Sequence, residues 1–301
     1  MTIVCGISFS MNSRAAADTA ACLAERLRRP LALVHVVSEL GAELEMAAGG
    51  PSHFERERRH LSAEVERLRS RGVVVDSYLL AGTVHLVLAE TARTKAAGLI
   101  VISLSYGEAG GPRGLLHSFA ERLVRESPVP VLAVQNPDPL LGWLRGERHL
   151  RALFGADPSV PEFSEAVRWL GELRKLGPCD VVATHVAPPS GKTAAHRDGQ
   201  RGTPARDTEA SDVARAGHAM NVKLAALPGD GTFETRSETA GDGVAEHLIR
   251  IAEREAFDLL VVGASHRSAL SRLWHGSVSE KVLRLAPINV ACIPAAVPAL
   301  S

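Results

Sequence analysis

The chain repeats itself, and a fold that is built twice is the strongest constraint it carries. LVHVV around His35 returns as ATHVA around His185, an offset of 185 − 35 = 150. HSFAERLVRESPVPVLAV, from His117, returns as GSVSEKVLRLAPINVACI, from Gly276, an offset of 276 − 117 = 159, and Gly82 matches Gly241 at that same offset. The nine extra residues of the second copy are expected between its second and third strands. PPSGKTAAHRDGQRGTP, Pro188 to Pro204, is the visible insert there, read as a mobile loop. A chain of 301 residues already suggests two domains of about 150 residues, each large enough to bury its own core. The expected division is 1–136, a linker 137–147 and 148–297. The seam QNPDPLLGWLRGER, Gln135 to Arg148, carries prolines and a glycine that break regular structure.

Each copy alternates strand and helix. Thr2 to Ile7 is a short apolar run, after which Ser13 is a candidate N-cap for a helix burying Ala16, Ala20, Leu23, Ala24 and Leu27. LALVHVV, Leu31 to Val37, is apolar throughout, as a parallel strand covered on both faces must be. A charged helix, Phe54 to Arg71, stops at Gly72, and Val73 to Leu80 is the next strand. Val84, Val87, Leu88, Thr91 and Ala92 mark the buried stripe of a further helix. Leu99 to Leu104, a helix near Leu115 to Glu126 and the strand Val129 to Val134 complete the copy. Strands alternating with helices predict a parallel α/β sheet with right-handed crossovers.

Composition excludes several function classes. Lys+Arg and Asp+Glu are both 34, so no global charge attracts nucleic acid or an anionic membrane surface. No segment approaches the ~20 apolar residues of a membrane span, and MTIVCGISFS lacks a signal-peptide pattern. A soluble, cytoplasmic protein is expected. Aromatic residues make up 4% of the chain, which disfavours a base-stacking surface. Cys5, Cys22, Cys179 and Cys292 stand singly in apolar segments, as small reduced core residues do.

With the repeat, the strand order and the GSVSEKV…AP…V tail in place, both halves resemble the universal stress protein family, and the chain resembles its tandem, two-domain members. That resemblance implies two tandem five-stranded parallel-sheet domains of the adenine-nucleotide-binding type. It also implies closing strands, Val129 to Val134 and Ile288 to Ile293, that pair within the chain as equivalent strands pair across family dimers. Homodimerisation is a further expectation. ATP-binding members carry an acidic residue after the first strand and a motif G-x2-G-x9-G-[ST] after the fourth. The resemblance places Asp157, in ADPS, at the acidic position, with Gly263 and Gly276-Ser277 as first and last elements of the motif. Nine residues separate position 266 from Gly276, as the motif requires, but the middle glycine is His266. An imidazole there fills volume that a glycine leaves for phosphate, while Arg267 and a helix start at Ser277 still supply charge and N–H donors. The implied cofactor is ATP or another adenine nucleotide. The implied contacts are Asp157, Ser159, Val186, Gly263, His266, Arg267, Gly276, Ser277 and Val278. In the first half the acidic position is Ser8. The motif reads Ser103, Gly107 and His117-Ser118, with a one-residue slip, so that half is expected not to bind ATP.

Plainer readings stand beside these. Gly263 and Gly276 serve equally as turn and helix-start glycines, and Asp157 before Pro158 as a turn residue or cap. His35 and His185 fit hydrogen-bonded core residues. ERERRH, Glu55 to His60, fits a solvated helix face. GKT at Gly191 to Thr193 lacks the upstream glycine of a phosphate loop, and neither first strand is followed by G-x-G-x-x-G. No nucleophile elbow, HExxH or paired carboxylates appear. The sequence therefore favours a non-catalytic regulatory or protective protein that binds an adenine nucleotide in its second half. A nucleotide-free interaction scaffold and a slow ATPase remain open.

Overall fold

The computed structural model describes residues 1–37, 53–104, 113–187, 205–264 and 278–295. The first half runs β1 (Thr2–Gly6), α1 (Met11–Leu27), β2 (Leu31–Val37), α2 (His53–Arg69), β3 (Val75–Ala81), α3 (Val84–Thr94), β4 (Ala97–Ser103), α4 (Arg113–Glu126) and β5 (Val131–Val134). After α5 (Pro137–Leu144), the second half repeats the order. It runs β6 (Leu150–Gly155), α6 (Pro161–Arg174), β7 (Cys179–Ala187), α7 (Ala205–Leu224), β8 (Phe233–Thr239), α8 (Val244–Arg254), β9 (Leu259–Ala264), α9 (Val278–Leu285) and β10 (Asn289–Pro294). The insert Pro188 to Pro204 lies outside the described residues.

The strands form one ten-stranded sheet in the order β3-β2-β1-β4-β5-β10-β9-β6-β7-β8. Pairing is parallel inside each half and antiparallel only where β5 meets β10, with Val131 opposite Cys292, Leu132 opposite Ala291 and Ala133 opposite Val290. The closing strands thus cover each other's edges, which would otherwise offer unpaired backbone groups. Asn289, 1% exposed, fastens this seam. Its Oδ1 accepts from the backbone N–H of Gln135 and Asn136 at 2.9 and 3.0 Å, and its Nδ2 donates to the Asp258 carbonyl at 3.0 Å. One helical layer comprises α1, α2, α5, α6 and α7, with Leu33, Val101, Phe154 and Val261 beneath it; α3, α4, α8 and α9 cover the other face over Val4, Ile100, Leu153 and Leu260. Cys5, Cys179 and Cys292 are buried, and all four cysteines are free. Burial pushes the thiols of Cys5 and Cys292 well above the usual range and that of Cys179 up to about 12. No described helix is long and apolar enough to cross a membrane.

Several local expectations change. The N-cap of α1 is Ser10, whose hydroxyl accepts from Ser13 N–H, while Ser13 Oγ accepts from Ser8 N–H and donates to the Ser10 carbonyl. Val84 is 41% exposed, and the buried stripe of α3 runs through His85, Leu88, Ala89, Thr91 and Ala92. The stretch read as a break contains α5: Pro137 needs no N–H partner in a first turn, and the Asn136 side chain accepts from Asp138 N–H. Strand register also moves the insertion. Val75 corresponds to Phe233, because both pair with equivalent residues Leu31 and Val181, an offset of 233 − 75 = 158. Helix starts Val84 and Val244 differ by 244 − 84 = 160. Eight residues therefore enter before β8 and two more in the β8–α8 turn, so Gly241 is not the register counterpart of Gly82.

Candidate functional site

In the second half β6 sends the chain one way to β7, while β9 pairs on its other side. Such a switch point opens a crevice beyond the carboxyl ends of the two strands, where α/β sheets take their ligands. The loop leaving β6 is fixed from both sides. Ala156 N–H donates to the Thr184 carbonyl at 3.0 Å, and His185 Nδ1 lies 3.0 Å from the Ala156 carbonyl, a contact that requires the proton on Nδ1. His185 is thus half-buried and hydrogen-bonded rather than fully internal. The next residue is Asp157, exposed, whose Oδ1 accepts from Ser159 N–H at 3.0 Å and Ser159 Oγ at 2.6 Å. This Asx turn orients the carboxylate and leaves Oδ2 without a partner among the described residues. The sequence-derived pair Asp157 and Ser159 is brought together.

Gly263, facing the α6 side of β9, has a different reason to be glycine. A Cβ there would lie 2.8 Å from Glu162 Cβ, so the missing side chain lets the first turn of α6 approach β9. Val186 is buried in the layer under α8, so only its main chain can face the crevice. Val278, the first residue of α9, is 37% exposed. His266, Arg267, Gly276 and Ser277 lie outside the described residues.

Two features escaped the sequence reading. Glu162, in the first turn of α6, is 5% exposed, and its Oε2 has no hydrogen-bond partner among the described residues. A buried carboxylate beside Gly263 opposes an anion and favours a donor. Its signal was only a Glu three residues after Ser159, the spacing of a capping pair. The second feature is a charged chain around α8. Arg250 binds both oxygens of Asp242 and donates to His247 Nδ1 at 3.1 Å; His247 Nε2 therefore carries the proton and meets Glu238 at 2.8 Å. The Arg250 guanidinium holds the Asp242 carboxyl below its usual range. Glu246, in the first turn, is held low by its own backbone N–H and then by Lys281 at 3.1 Å. Carboxylates already serve this helix start. Among the described residues no group of three or more His, Cys, Asp or Glu is placed to hold a metal.

The first half keeps the same frame. His35 Nδ1 lies 2.7 Å from the Ile7 carbonyl, as His185 does from Ala156. Ser8 follows where Asp157 stands, and its hydroxyl reaches Ser10 Oγ at 3.2 Å. Gly107 and the side chains of His117 and Ser118 lie outside the described residues.

The model of the universal stress protein family matches residues 1–135 and again 150–294. The chain belongs to the universal stress protein family. Solved structures agree on the fold. A universal stress protein from Archaeoglobus fulgidus DSM 4304 is 12% identical with a TM-score of 0.63, covering 97% of this chain and 96% of that one. One from Pseudomonas aeruginosa UCBPP-PA14, described there as putative, is 16% identical with a TM-score of 0.64, covering 97% and 92%. A universal stress protein solved in complex with cAMP is 21% identical with a TM-score of 0.35, covering 44% of this chain and 96% of that one. Among curated proteins none matches.

Proposed function

We propose that this universal stress protein is a non-catalytic stress-response regulator that binds an adenine nucleotide in its second half. It is built from domains 1–136 and 148–297 joined by 137–147. One observation carries the reading: at the β6–β9 switch point Asp157 is exposed, oriented through one oxygen by Ser159, and at the other has no partner among the described residues, which suits it to accept from ribose hydroxyls. In this reading Ser159, the main chain at Val186, Gly263 and Val278 would complete the rim, and His266, Arg267, Gly276 and Ser277 would meet the phosphates. No paired base and nucleophile enters the reading.

Glu162 argues for the second reading, a nucleotide-free interaction scaffold, because a buried carboxylate with one oxygen unpartnered among the described residues repels phosphate. The two are separated by calorimetric titration with ATP, ADP and AMP. The expected result is one binding equivalent, abolished by Asp157→Ala and untouched by Ser8→Ala. Glu162→Gln is expected to improve ATP affinity more than AMP affinity, since removing the charge favours the more anionic ligand. An absence of binding by all three nucleotides selects the scaffold.

A further inference from the structure

A cavity of about 20 Å³ lies where the two halves meet, between the helices α1, α5 and α6 and the strands beneath them. Its walls come from both halves and from the helix that joins them: Thr19 and Leu23 of α1, Leu132 of β5, Trp143 of α5, Trp169 of α6 and Leu259 of β9. Each of these is at most 3% exposed. Leu259 is the first residue of β9, so the cavity sits toward the amino ends of the strands, away from the crevice at their carboxyl ends. The surface facing the space is wholly apolar. Thr19 directs its hydroxyl to the Ala15 carbonyl at 3.0 Å, inside its own helix, and the N–H edge of Trp143 lies against Gly177.

The internal repeat explains why space is left here. Buried and exposed positions follow the same order in α1 and α6 at an offset of 150, so Thr19 corresponds to Trp169 (169 − 19 = 150) and Leu27 to Gly177 (177 − 27 = 150). Gly177 admits the indole of Trp143 so closely that a Cβ there would lie 2.9 Å from its Nε1. Thr19, by contrast, is much smaller than the indole at the equivalent place, and the cavity lies against it. A water in such a site would forgo its usual two to four hydrogen bonds, whereas an apolar molecule loses none and gains dispersion contacts with close walls. On the scale where one water needs about 10–15 Å³, the space suits a molecule of about two heavy atoms. We infer that this cavity is a binding site for a small, uncharged, apolar molecule, held at the junction so that its occupancy stabilises both halves together. The site is separate from the crevice and independent of the nucleotide reading.

Xenon is the probe, because it is apolar and monatomic, and the readout is the methyl NMR spectrum of the full chain under increasing xenon pressure. The expected result is a saturable shift of the Leu23, Leu132 and Leu259 methyl resonances. Thr19→Leu puts carbon into the space and is expected to lose the saturable shifts. Thr19→Val removes the hydroxyl at nearly constant volume and is expected to keep them. An absence of saturable shifts in wild type, or shifts of equal size in Thr19→Leu, overturns the inference. Their loss in Thr19→Val overturns the apolar character of the site. Should Thr19→Leu fail to fold, Leu23→Ala enlarges the space and is expected to admit benzene, raising Tm by about 2 °C or more, with no rise in wild type. The same response to benzene in both proteins overturns the inference.

Discussion

The two halves share a frame and differ in what they hang on it. Each first strand ends in a glycine that leaves room for a leucine of the facing helix: a Cβ on Gly6 would meet Leu88 at 3.1 Å, and one on Gly155 would meet Leu248 at 2.6 Å. Each also uses a histidine to fix the next carbonyl. Beyond that carbonyl the first half places Ser8 and the Phe9 ring against His35, whereas the second places an oriented, exposed carboxylate. The seam is unequal too. Val131 and Val290 occupy equivalent places, so Pro130 corresponds to Asn289; the proline offers only its carbonyl to Ile100 N–H, while the asparagine side chain makes three hydrogen bonds, two of them across the junction. The glycine and histidine that build the frame recur in both copies, and the residues in the loop after the first strand and at the seam differ.

The strongest way to break this comparison is to charge the seam. Ala291 is fully buried opposite Leu132, so Ala291→Asp places an unpaired carboxylate where neither half can solvate it. A loss of roughly 4 kcal/mol or more is expected, felt by both halves in a single urea transition. Two separate transitions, with the first half unaffected, would show that the halves are stable independently.

A smaller effect sharpens the inequality at the seam. Asn289→Ala removes three hydrogen bonds and is expected to cost about 2–3 kcal/mol. Pro130→Ala at the equivalent place should change stability by less than about 1 kcal/mol. Comparable losses in thermal or urea unfolding would mean that the clasp is not specific to the second half.

The smallest expected effect concerns acid. Burial tends to raise the Asp180 carboxyl, but the N–H and hydroxyl of Thr232 and then His149 outweigh it and hold the pKa below its ordinary 3.8. A lowered folded value means stability that is present above the unfolded value and lost as pH falls through the folded one. Asp180→Asn should therefore cost about 1 kcal/mol near pH 7, after discounting for solvent screening, with the difference from wild type vanishing as acid protonates Asp180. The first half has Pro30 at this place and no such term. A difference that persists unchanged into strong acid would assign the loss to packing.

What the sequence alone determined is the frame. Apolar runs such as Leu31–Val37 specify covered strands because every second residue must be apolar on both faces. The repeat specified two copies, and the resemblance carried by their motifs implied that the closing strands pair. The place of Asp157, directly after the first strand of its half, was legible through the resemblance, because it depends on a short local motif. The tertiary structure alone decided the rest, since it depends on residues distant in the chain. Gly263 is glycine because of Glu162, about a hundred positions earlier, and that carboxylate's burial has no local signature. The insertion could be divided only by strand register, which fixes equivalence through backbone hydrogen bonds rather than residue identity. The contacts of Phe9 with His35 and His60, 26 and 51 residues further on, are likewise set only by the tertiary structure. A ring's partners are set by where helices and strands converge, which local sequence does not encode.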